Sequence, residues 1–473
     1  MKCAVFHIAF VAVFVSVVGG TSHCVDSKPN DFCARNQMFC NFASSPIQRE
    51  CAYTCGRLLN TCPDVSQQGR GTTIHPNLKS CDQPQDIPAF TLQRFHRSLL
   101  NYAFNIYRQT VAEVGDHKNV FMSPISIALA LGMLTEGTDG ESKLELENLL
   151  TAGYRRLNAN QFTDLFHQLQ NAIFPSTNVK NRAMSIVKRL YADRSLILLP
   201  DFTSALRSCF KSAPELRDFR ANAEIVRLGI NDWVEEHTND KLKEMIRSGG
   251  VNANTIMILV TAGYFKTNWL ERFNETKMMP FASYGQSASR RAQKITMMHK
   301  TETQVSYYDD SDIQAIQVPY KGNNLFMMIM VPKNKSLGAM KQLESRLNAE
   351  FFDDVSRKSR KSKVSMLIPK FKIEQVIPLA KILKGMGVTH IFSDQANFLR
   401  MTTTNRVKLS DAFHKAVVEV NNDGEEHTTD SSVTMVRPLA AHTEYFVADR
   451  PFVFVVMHRN TNVPLFVGKF GGV

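Results

Sequence analysis

The sequence predicts a mixed α+β domain, preceded by a small module held together by disulfide bonds. Six of the nine cysteines fall between Cys24 and Cys62, a stretch with few large apolar side chains. After residue 88 the chain alternates long helical patterns with aliphatic runs, and it shows no internal repeat. With 473 residues, 44% hydrophobic and 21% charged, it has the length and composition for a large hydrophobic core.

The first 22 residues have the pattern of a secretory signal peptide. Lys2 precedes an apolar run from Ala4 to Val18, and small residues follow from Gly19 to Ser22. No later stretch reaches about 18 uninterrupted apolar residues, and the last residues, GGV, carry no retention signal. We therefore expect a soluble protein that is secreted to the extracellular space and has no membrane partner.

Residues 23–62 form the predicted disulfide-rich module. A segment of this length cannot bury enough apolar surface to fold unaided, so cysteines at this density indicate a disulfide framework. Six cysteines allow 15 connectivities, and their spacing alone does not choose among them. The module's cysteines are Cys24, Cys33, Cys40, Cys51, Cys55 and Cys62.

Two further cysteines and two sequons also fit an oxidising compartment. Cys81 lies in the polar linker, residues 63–88, and Cys209 in a predicted helix, DFTSALRSCF. Either Cys209 is a buried free thiol, or a disulfide joins it to Cys81. Asn274-Glu275-Thr276 and Asn334-Lys335-Ser336 are acceptor sequences for N-linked glycans, so Asn274 and Asn334 are candidate glycosylation sites in a glycoprotein.

Residues 89–473 form the large domain. LQRFHRSLLNYAFNIYRQTV has apolar residues at intervals of three and four, which predicts an amphipathic helix. VFMSPISIALALGML has a Ser-Pro pair followed by apolar residues, which predicts a buried helix. TIMILVTAGYFK, LFMMIMVP and FVFVVMH are aliphatic runs with too few charges for a surface, and they predict buried strands.

The sequence gives no sign of an enzyme. It has no G-x-S-x-G elbow, no H-E-x-x-H pair and no phosphate-binding glycine loop. His414, in the sequence HKA, is expected to be a hydrogen-bonded structural histidine. We therefore expect no catalytic residues, no metal and no cofactor.

The cysteine spacing, with CVDSKPNDFC and ECAYTCG, resembles the ShK toxin-like domain. The resemblance implies nested bridges, which pair Cys24 with Cys62, Cys33 with Cys51 and Cys40 with Cys55. It departs from the family between Cys55 and Cys62, where six residues stand in place of the usual two. Channel-blocking members have an adjacent lysine and tyrosine between the third and fourth cysteines. Here that segment reads NFASSPIQRE, so we expect an accessory interaction module rather than a toxin.

An ordered set of motifs in the large domain resembles the serpin family of serine protease inhibitors. The set comprises NVFMSPISIALAL with Gly137 and Ser142, NDWVEEHTNDKL, TAGYFKTNW with Phe273, VPY, IPKFKIE, HKAVVEVN, ADRPFVFVV and PLFVGK. Lys188 and Thr261 stand where the family usually has asparagine. The resemblance implies an α+β fold of three β-sheets and about nine helices, with an exposed reactive-centre loop.

That loop would span about Gly424 to Ala448, a long polar stretch between two predicted strands. Polar connections of this length are uncommon in compact domains unless they are functional or disordered. In inhibitory serpins a serine protease cleaves the loop, and its first part then inserts as an extra strand into the central sheet. The resemblance therefore implies an extracellular serine protease as the partner.

The hinge of this loop is unusually charged. Its residues are Gly424, Glu425, Glu426, His427, Thr428 and Thr429, where inhibitory serpins favour a threonine or serine and then alanines. Strand side chains alternate between faces, so Glu425, His427, Thr429 and Ser431 would point inward. Burying an unpaired carboxylate costs several kcal/mol. We therefore expect weak or lost trapping and a binding, carrier or substrate-like role, with protease inhibition as the alternative.

The family's spacing places the cleaved bond after Pro438, which suits few serine proteases. The candidate region comprises Arg437, Pro438, Leu439 and Ala440. Leu439-Ala440 would suit a chymotrypsin-like enzyme and Arg437 a trypsin-like one, although trypsin-like enzymes avoid an Arg-Pro bond.

The net charge of +12 raises the question of a polyanionic partner. The sharpest basic cluster comprises Arg357, Lys358, Arg360, Lys361 and Lys363, for which we expect a solvated loop before a strand from Val364 to Ile368. A glycosaminoglycan remains an alternative ligand for this cluster. We expect a monomer that binds no nucleic acid.

Overall fold

The structure, a computed structural model, describes residues 81, 87–151, 159–174, 184–283, 293–404, 406–423 and 443–472. The signal peptide, the cysteine-rich module with its six cysteines and most of the linker lie outside these residues. All of the described residues belong to the unit Asn77–Val473. None of the described helices is both long and apolar enough to cross a membrane.

Nine α-helices and one short 3-10 helix, His390–Phe392, occur among the described residues. The α-helices are α1 Ala89–Val114, α2 Pro124–Gly137, α3 Gly140–Thr151, α4 Ala159–Ile173, α5 Pro200–Phe210, α6 Phe219–His237, α7 Leu337–Arg346, α8 Ala349–Lys358 and α9 Leu379–Gly385. The predicted helices at 92–111 and 201–210 correspond to α1 and α5. Of the run at 120–134, the residues from Pro124 onward lie in α2, whereas Val120–Met122 form a strand.

The same described residues contain fourteen strands. They are β1 Val120–Met122, β2 Met184–Asp193, β3 Glu215–Arg217, β4 Met257–Phe265, β5 Glu275–Phe281, β6 Gln293–Asp309, β7 Ile313–Pro319, β8 Leu325–Pro332, β9 Arg360–Pro369, β10 Phe371–Ile377, β11 Asp411–Val420, β12 Glu444–Val447, β13 Phe452–His458 and β14 Val463–Phe470.

The described strands form two hydrogen-bonded networks. One has the order β1-β14-β13-β8-β7-β6-β9-β12, with β5 also paired to β6, and the other has the order β10-β11-β4-β2-β3. The resemblance implies three sheets. The long strand β6 joins two of them, because it pairs with β5 over residues 293–299 and with β7 over residues 306–309.

The core follows from the aliphatic runs seen in the sequence. Every residue of β4, β13 and β14 is buried, as expected for strands that are covered on both faces. Helix α2 is buried along almost its whole length. Ser123 caps it by accepting a hydrogen bond from the Ser126 backbone N–H, and Pro124 occupies the first helical position.

Two strand boundaries differ from the sequence prediction, in which one strand begins with Val417, Val418 and Val420 and the run from Phe446 to Val456 forms another. Val417, Val418 and Val420 do not begin a strand but end one, because β11 starts at Asp411. The run from Phe446 to Val456 is not one strand but two, since the chain leaves the sheet between β12 and β13, at Ala448–Pro451. The two strands then join different neighbours: β12 pairs with β9, and β13 pairs with β8 and β14.

Candidate functional site

The structure describes both ends of the long polar loop, up to Asp423 and from Thr443 onward. The predicted hinge residues and scissile region lie outside the described residues, so their placement stays a prediction. These are Gly424, Glu425, Glu426, His427, Thr428, Thr429, Arg437, Pro438, Leu439 and Ala440.

The first end of the loop is held by backbone hydrogen bonds just beyond β11. The indole N–H of Trp269 donates to the carbonyl of Asn421 at 2.7 Å. The backbone N–H of Trp269 donates to the carbonyl of Asp423 at 3.0 Å, and that of Phe273 donates to the carbonyl of Asn422 at 3.3 Å. Three successive carbonyls are therefore fixed before the hinge begins.

Trp269, which provides two of these donors, packs in a group of buried aromatic rings. Trp269 lies parallel to Tyr320, with ring centroids 4.4 Å apart and an interplanar angle of 10°. Phe265, at the end of β4, meets Tyr320 edge-on at 5.1 Å. The motifs TAGYFKTNW and VPY contain these residues, but their spacing in the sequence does not show that the two motifs meet.

The second end of the loop enters a sheet earlier than predicted. Strand β12 lies within the predicted loop, Gly424 to Ala448, and pairs in parallel with β9. Phe446 points into the core, whereas Tyr445 is 68% exposed. The Thr443 hydroxyl donates to a Glu302 carboxylate oxygen at 3.4 Å. The last residues of the loop that the resemblance implies, Glu444–Val447, therefore belong to a strand.

The first end of the loop continues from β11, a strand of the five-stranded sheet in which β11 and β4 are parallel neighbours. Asp411 stands opposite Ile258, and Val418 opposite Phe265. Just beyond the paired region, the Glu419 carboxylate meets the ammonium of Lys266 at 3.1 Å and that of Lys372 at 4.0 Å. Two cations thus share one carboxylate near the point where the loop leaves the sheet.

A buried polar contact joins β11, β4 and the start of α2. The Nε2 atom of His414 accepts a hydrogen bond from the Ser123 backbone N–H at 3.0 Å. A neutral imidazole then carries its proton on Nδ1, which donates to the Thr261 hydroxyl at 2.6 Å. Burial lowers the pKa of His414 to about 3. This geometry supports the predicted structural role of His414, and Thr261 takes part in the same contact.

The basic cluster is not a loop. Arg357 and Lys358 lie in the last turn of α8, where both pair with Asp354, at 2.6 and 2.7 Å. Strand β9 begins within the cluster, at Arg360, and not at Val364, because backbone pairing with β6 extends to that residue.

Alternation along β9 places Lys361 and Lys363 on one face and Arg360 on the other. Lys363 pairs with Glu302 at 2.7 Å. The five cations therefore do not form one continuous patch, and carboxylates partly neutralise three of them.

Both candidate glycosylation sites are exposed. Asn274 immediately precedes β5, and Asn334 lies between β8 and α7. The Asn334 side chain accepts a hydrogen bond from the Ser336 backbone N–H at 2.9 Å. Their use stays a prediction.

Cys81 and Cys209 are joined by a disulfide bond, with Cα atoms 5.1 Å apart. Both residues are almost completely buried. Of the alternatives left open by the sequence, the structure thus contains the bridge. The six cysteines of the module lie outside the described residues.

Comparison with known proteins gives a consistent result. A family model described as "Serpin (serine protease inhibitor)" matches residues 97–471. A leukocyte elastase inhibitor of Xenopus tropicalis is 30% identical over 387 residues, which cover 80% of this chain and 99% of that protein.

Two solved structures are similar to this chain in fold. The crystal structure of uncleaved ovalbumin aligns with a TM-score of 0.70 at 25% identity, covering 80% of this chain and 100% of that one. Human thyroxine-binding globulin, solved with its ligand, aligns with a TM-score of 0.70 at 26% identity, covering 81% of this chain and 99% of that one.

Proposed function

The chain belongs to the serpin family, and we propose that it is a secreted member that meets serine proteases as a substrate or binding partner rather than as an efficient trap. The observation that carries this proposal is the charged hinge, Glu425 and His427. Family membership supports a serine protease as the class of partner. The hinge sequence then decides whether the protease is trapped or is released after it cleaves the loop.

Insertion would place the hinge between β4 and β11. A strand that folds back from the end of β11 runs antiparallel to it, and also antiparallel to β4, because β4 and β11 are parallel. Both strands are almost entirely buried along their paired length. Glu425, as the first inward residue, would therefore lose most of its hydration on entering the sheet.

The outcome depends on a race between insertion and hydrolysis of the acyl bond to the protease. An additional barrier of about 3 kcal/mol, a moderate value for desolvating an unpaired carboxylate, would slow insertion roughly a hundredfold. Hydrolysis would then release the protease, and the cleaved protein would keep its original sheet. Such a protein can still bind a ligand or partner in its intact state, as a carrier does.

The alternative is a functional inhibitor of serine-type endopeptidases, acting at Leu439 on a chymotrypsin-like enzyme or at Arg437 on a trypsin-like one. Lys266 and Lys372 favour it, because both lie near the end of β11 and share the single carboxylate of Glu419. Either ammonium could pair with Glu425 during entry and lower the cost of its desolvation. The similarity to a protein named leukocyte elastase inhibitor also supports this alternative.

Limited proteolysis distinguishes the two. Chymotrypsin and trypsin are incubated separately with the full-length protein. The products are run on a denaturing gel, and mass spectrometry identifies the cleaved bond. We expect cleavage in the loop without a denaturant-resistant complex, and no upward shift of the unfolding temperature. A covalent complex together with a large upward shift would establish the inhibitor and overturn the proposal.

Hinge variants test whether burial of Glu425 and His427 is what prevents insertion. Glu425→Thr with His427→Ala removes both charged or bulky inward side chains, and we expect it to gain complex formation and the upward shift. Glu426→Ala is the matched control, because it removes a carboxylate that alternation directs outward. If Glu426→Ala has the same effect as the double variant, the loss of net charge rather than inward burial is responsible.

A further inference from the structure

Two lysines beside α4 have no carboxylate partner among the described residues. The ammonium of Lys188, on β2, donates to the side-chain oxygen of Gln170 at 2.7 Å. The ammonium of Lys211, directly after α5, donates to the side-chain oxygen of Asn171. Lys188 is the position where the serpin resemblance leads one to expect a neutral asparagine, so its charge distinguishes this chain.

Gln170 leaves a buried hydrogen-bond donor without a partner. Gln170 is only 3% exposed, and its side-chain nitrogen has no acceptor among the described residues. In its charged form Lys188 can only donate, so the amide presents its oxygen to Lys188 and directs its NH2 group elsewhere. Buried donors are rarely left unpaired in folded proteins, which indicates that an acceptor belongs here.

The adjacent side chains of His167 and Asn171 are already paired with other groups. His167 Nδ1 lies 3.1 Å from the Cys209 carbonyl, to which it must donate. Its Nε2 atom then accepts from the Asn171 side-chain nitrogen at 2.9 Å, which leaves the Asn171 oxygen facing Lys211. Each of these acceptors thus already has a donor, whereas donors of Lys188, Gln170 and Lys211 remain available.

Electrostatics point the same way. Burial, and repulsion from Lys211, lower the pKa of Lys188 to about 7, and no carboxylate raises it. A negatively charged group would relieve the repulsion between the two lysines and accept from the Gln170 amide.

We propose that Lys188, Gln170 and Lys211 form a binding site for a small oxyanion, such as a sulfate or phosphate group, where α4 packs against β2 and the end of α5. Lys211 and Asn171 are exposed and Lys188 is partly exposed, so a solvent-borne group can reach the site. Because β2 pairs directly with β4, a bound anion would attach α4 to the five-stranded sheet. The proposal is independent of whether the loop traps proteases.

The test is thermal unfolding of the full-length protein at one scan rate, in sodium chloride, sodium sulfate or sodium phosphate at equal ionic strength. Sulfate stabilises most proteins through exclusion from their surface, so only a difference between variants is informative. Lys188→Met removes the central charge and keeps an apolar side chain of similar length. Lys118→Met, at an exposed lysine in the turn before β1, is the matched control.

We expect sulfate to raise the unfolding temperature of the unmodified protein by about 2 °C more than it raises that of Lys188→Met. Lys118→Met should keep the full rise, and Gln170→Leu should lose part of it. A sulfate-dependent rise of equal size in the unmodified protein and Lys188→Met would overturn the proposal.

Glucosamine 6-sulfate distinguishes the source of the anion. If it reproduces the Lys188-dependent rise, the site accepts a sulfate ester on a sugar. If only the inorganic ions do so, the site binds the free ion.

Discussion

The indole N–H of Trp269 donates to the backbone carbonyl of Asn421 at 2.7 Å, so that a buried side chain holds the chain where the long loop leaves β11. Trp269→Phe keeps an aromatic ring on Tyr320 but removes the donor and part of the packing. We expect it to lower the free energy of unfolding by about 1–3 kcal/mol. We also expect faster proteolysis of the loop, measured as the rate of loss of intact chain on a gel.

The other tryptophan provides the control. The indole N–H of Trp233 has no hydrogen-bond partner among the described residues, so Trp233→Phe removes no such bond. The chain has two tryptophans, and each single variant therefore leaves one fluorophore with which to follow unfolding. If both variants accelerated loop proteolysis equally, the Trp269 contact would not be what holds the loop.

A second prediction concerns acid stability. His414 is completely buried, and burial lowers its pKa to about 3, below the ordinary value of 6.5. The folded protein therefore binds fewer protons than the unfolded chain below pH 6.5. His414 thus contributes stability that is present above about pH 6.5 and is lost as pH falls toward 3, at up to about 1.4 kcal/mol per pH unit.

His414→Gln tests this prediction, since glutamine can accept from the Ser123 N–H without titrating. We expect the variant to lose stability less steeply than the unmodified protein between pH 6.5 and 4, measured by denaturant unfolding. His96, whose pKa is lowered to about 4 by burial and by His458, will still contribute to the slope in both. If the free energy of unfolding fell equally steeply with pH in both proteins, His414 would not be responsible for the loss of stability in acid.

His390 should behave in the opposite way. It is hydrogen-bonded to Glu145, and this contact raises the pKa of His390 above its ordinary value. The stability that it adds is fully present below about pH 6.5 and is lost as pH rises through the higher pKa of the folded state. His390→Gln should therefore lower the unfolding temperature more at pH 6 than at pH 9. An equal loss at both pH values would mean that the charge on His390 contributes nothing.

Much of the fold can be predicted from the sequence because helices and buried strands have local periodicity. The intervals in 92–111 predict α1, and the aliphatic run at 452–458 predicts β13. The break between β12 and β13 has no such signal, since Phe446 and Phe452 are equally buried and only their pairing partners differ.

The loop itself could be located from the sequence, but the residues that fix its ends could not. Trp269 and Tyr320 lie about 50 residues apart in the sequence, and their stacking depends on tertiary packing. The same holds for Lys188 and Gln170, whose contact between β2 and α4 has no sequence motif.

The bridge between Cys81 and Cys209 gives a fourth prediction. It closes a segment with a sequence separation of 128, which includes α1 to α4 and most of α5. Cross-links across loops of this length constrain the unfolded chain, and their removal typically costs about 2–5 kcal/mol. We expect Cys81→Ser with Cys209→Ser to lower the unfolding temperature by several degrees. An unchanged value would mean that packing around α5 already fixes this segment.

The last prediction concerns the basic cluster and heparin. Asp354 and Glu302 pair with three of the five cations, and the strand geometry separates Arg360 from Lys361. We therefore expect only weak retention on a heparin column, with elution near or below physiological salt.

Neutralising Arg360 and Lys361 should reduce what retention there is, because neither has a described carboxylate partner. Neutralising Arg357 and Lys358 should change it less, since Asp354 already opposes their charge. Tight retention that is lost when all four are neutralised would instead assign a glycosaminoglycan to this cluster, and would show that the bound sugar displaces the Asp354 pairs.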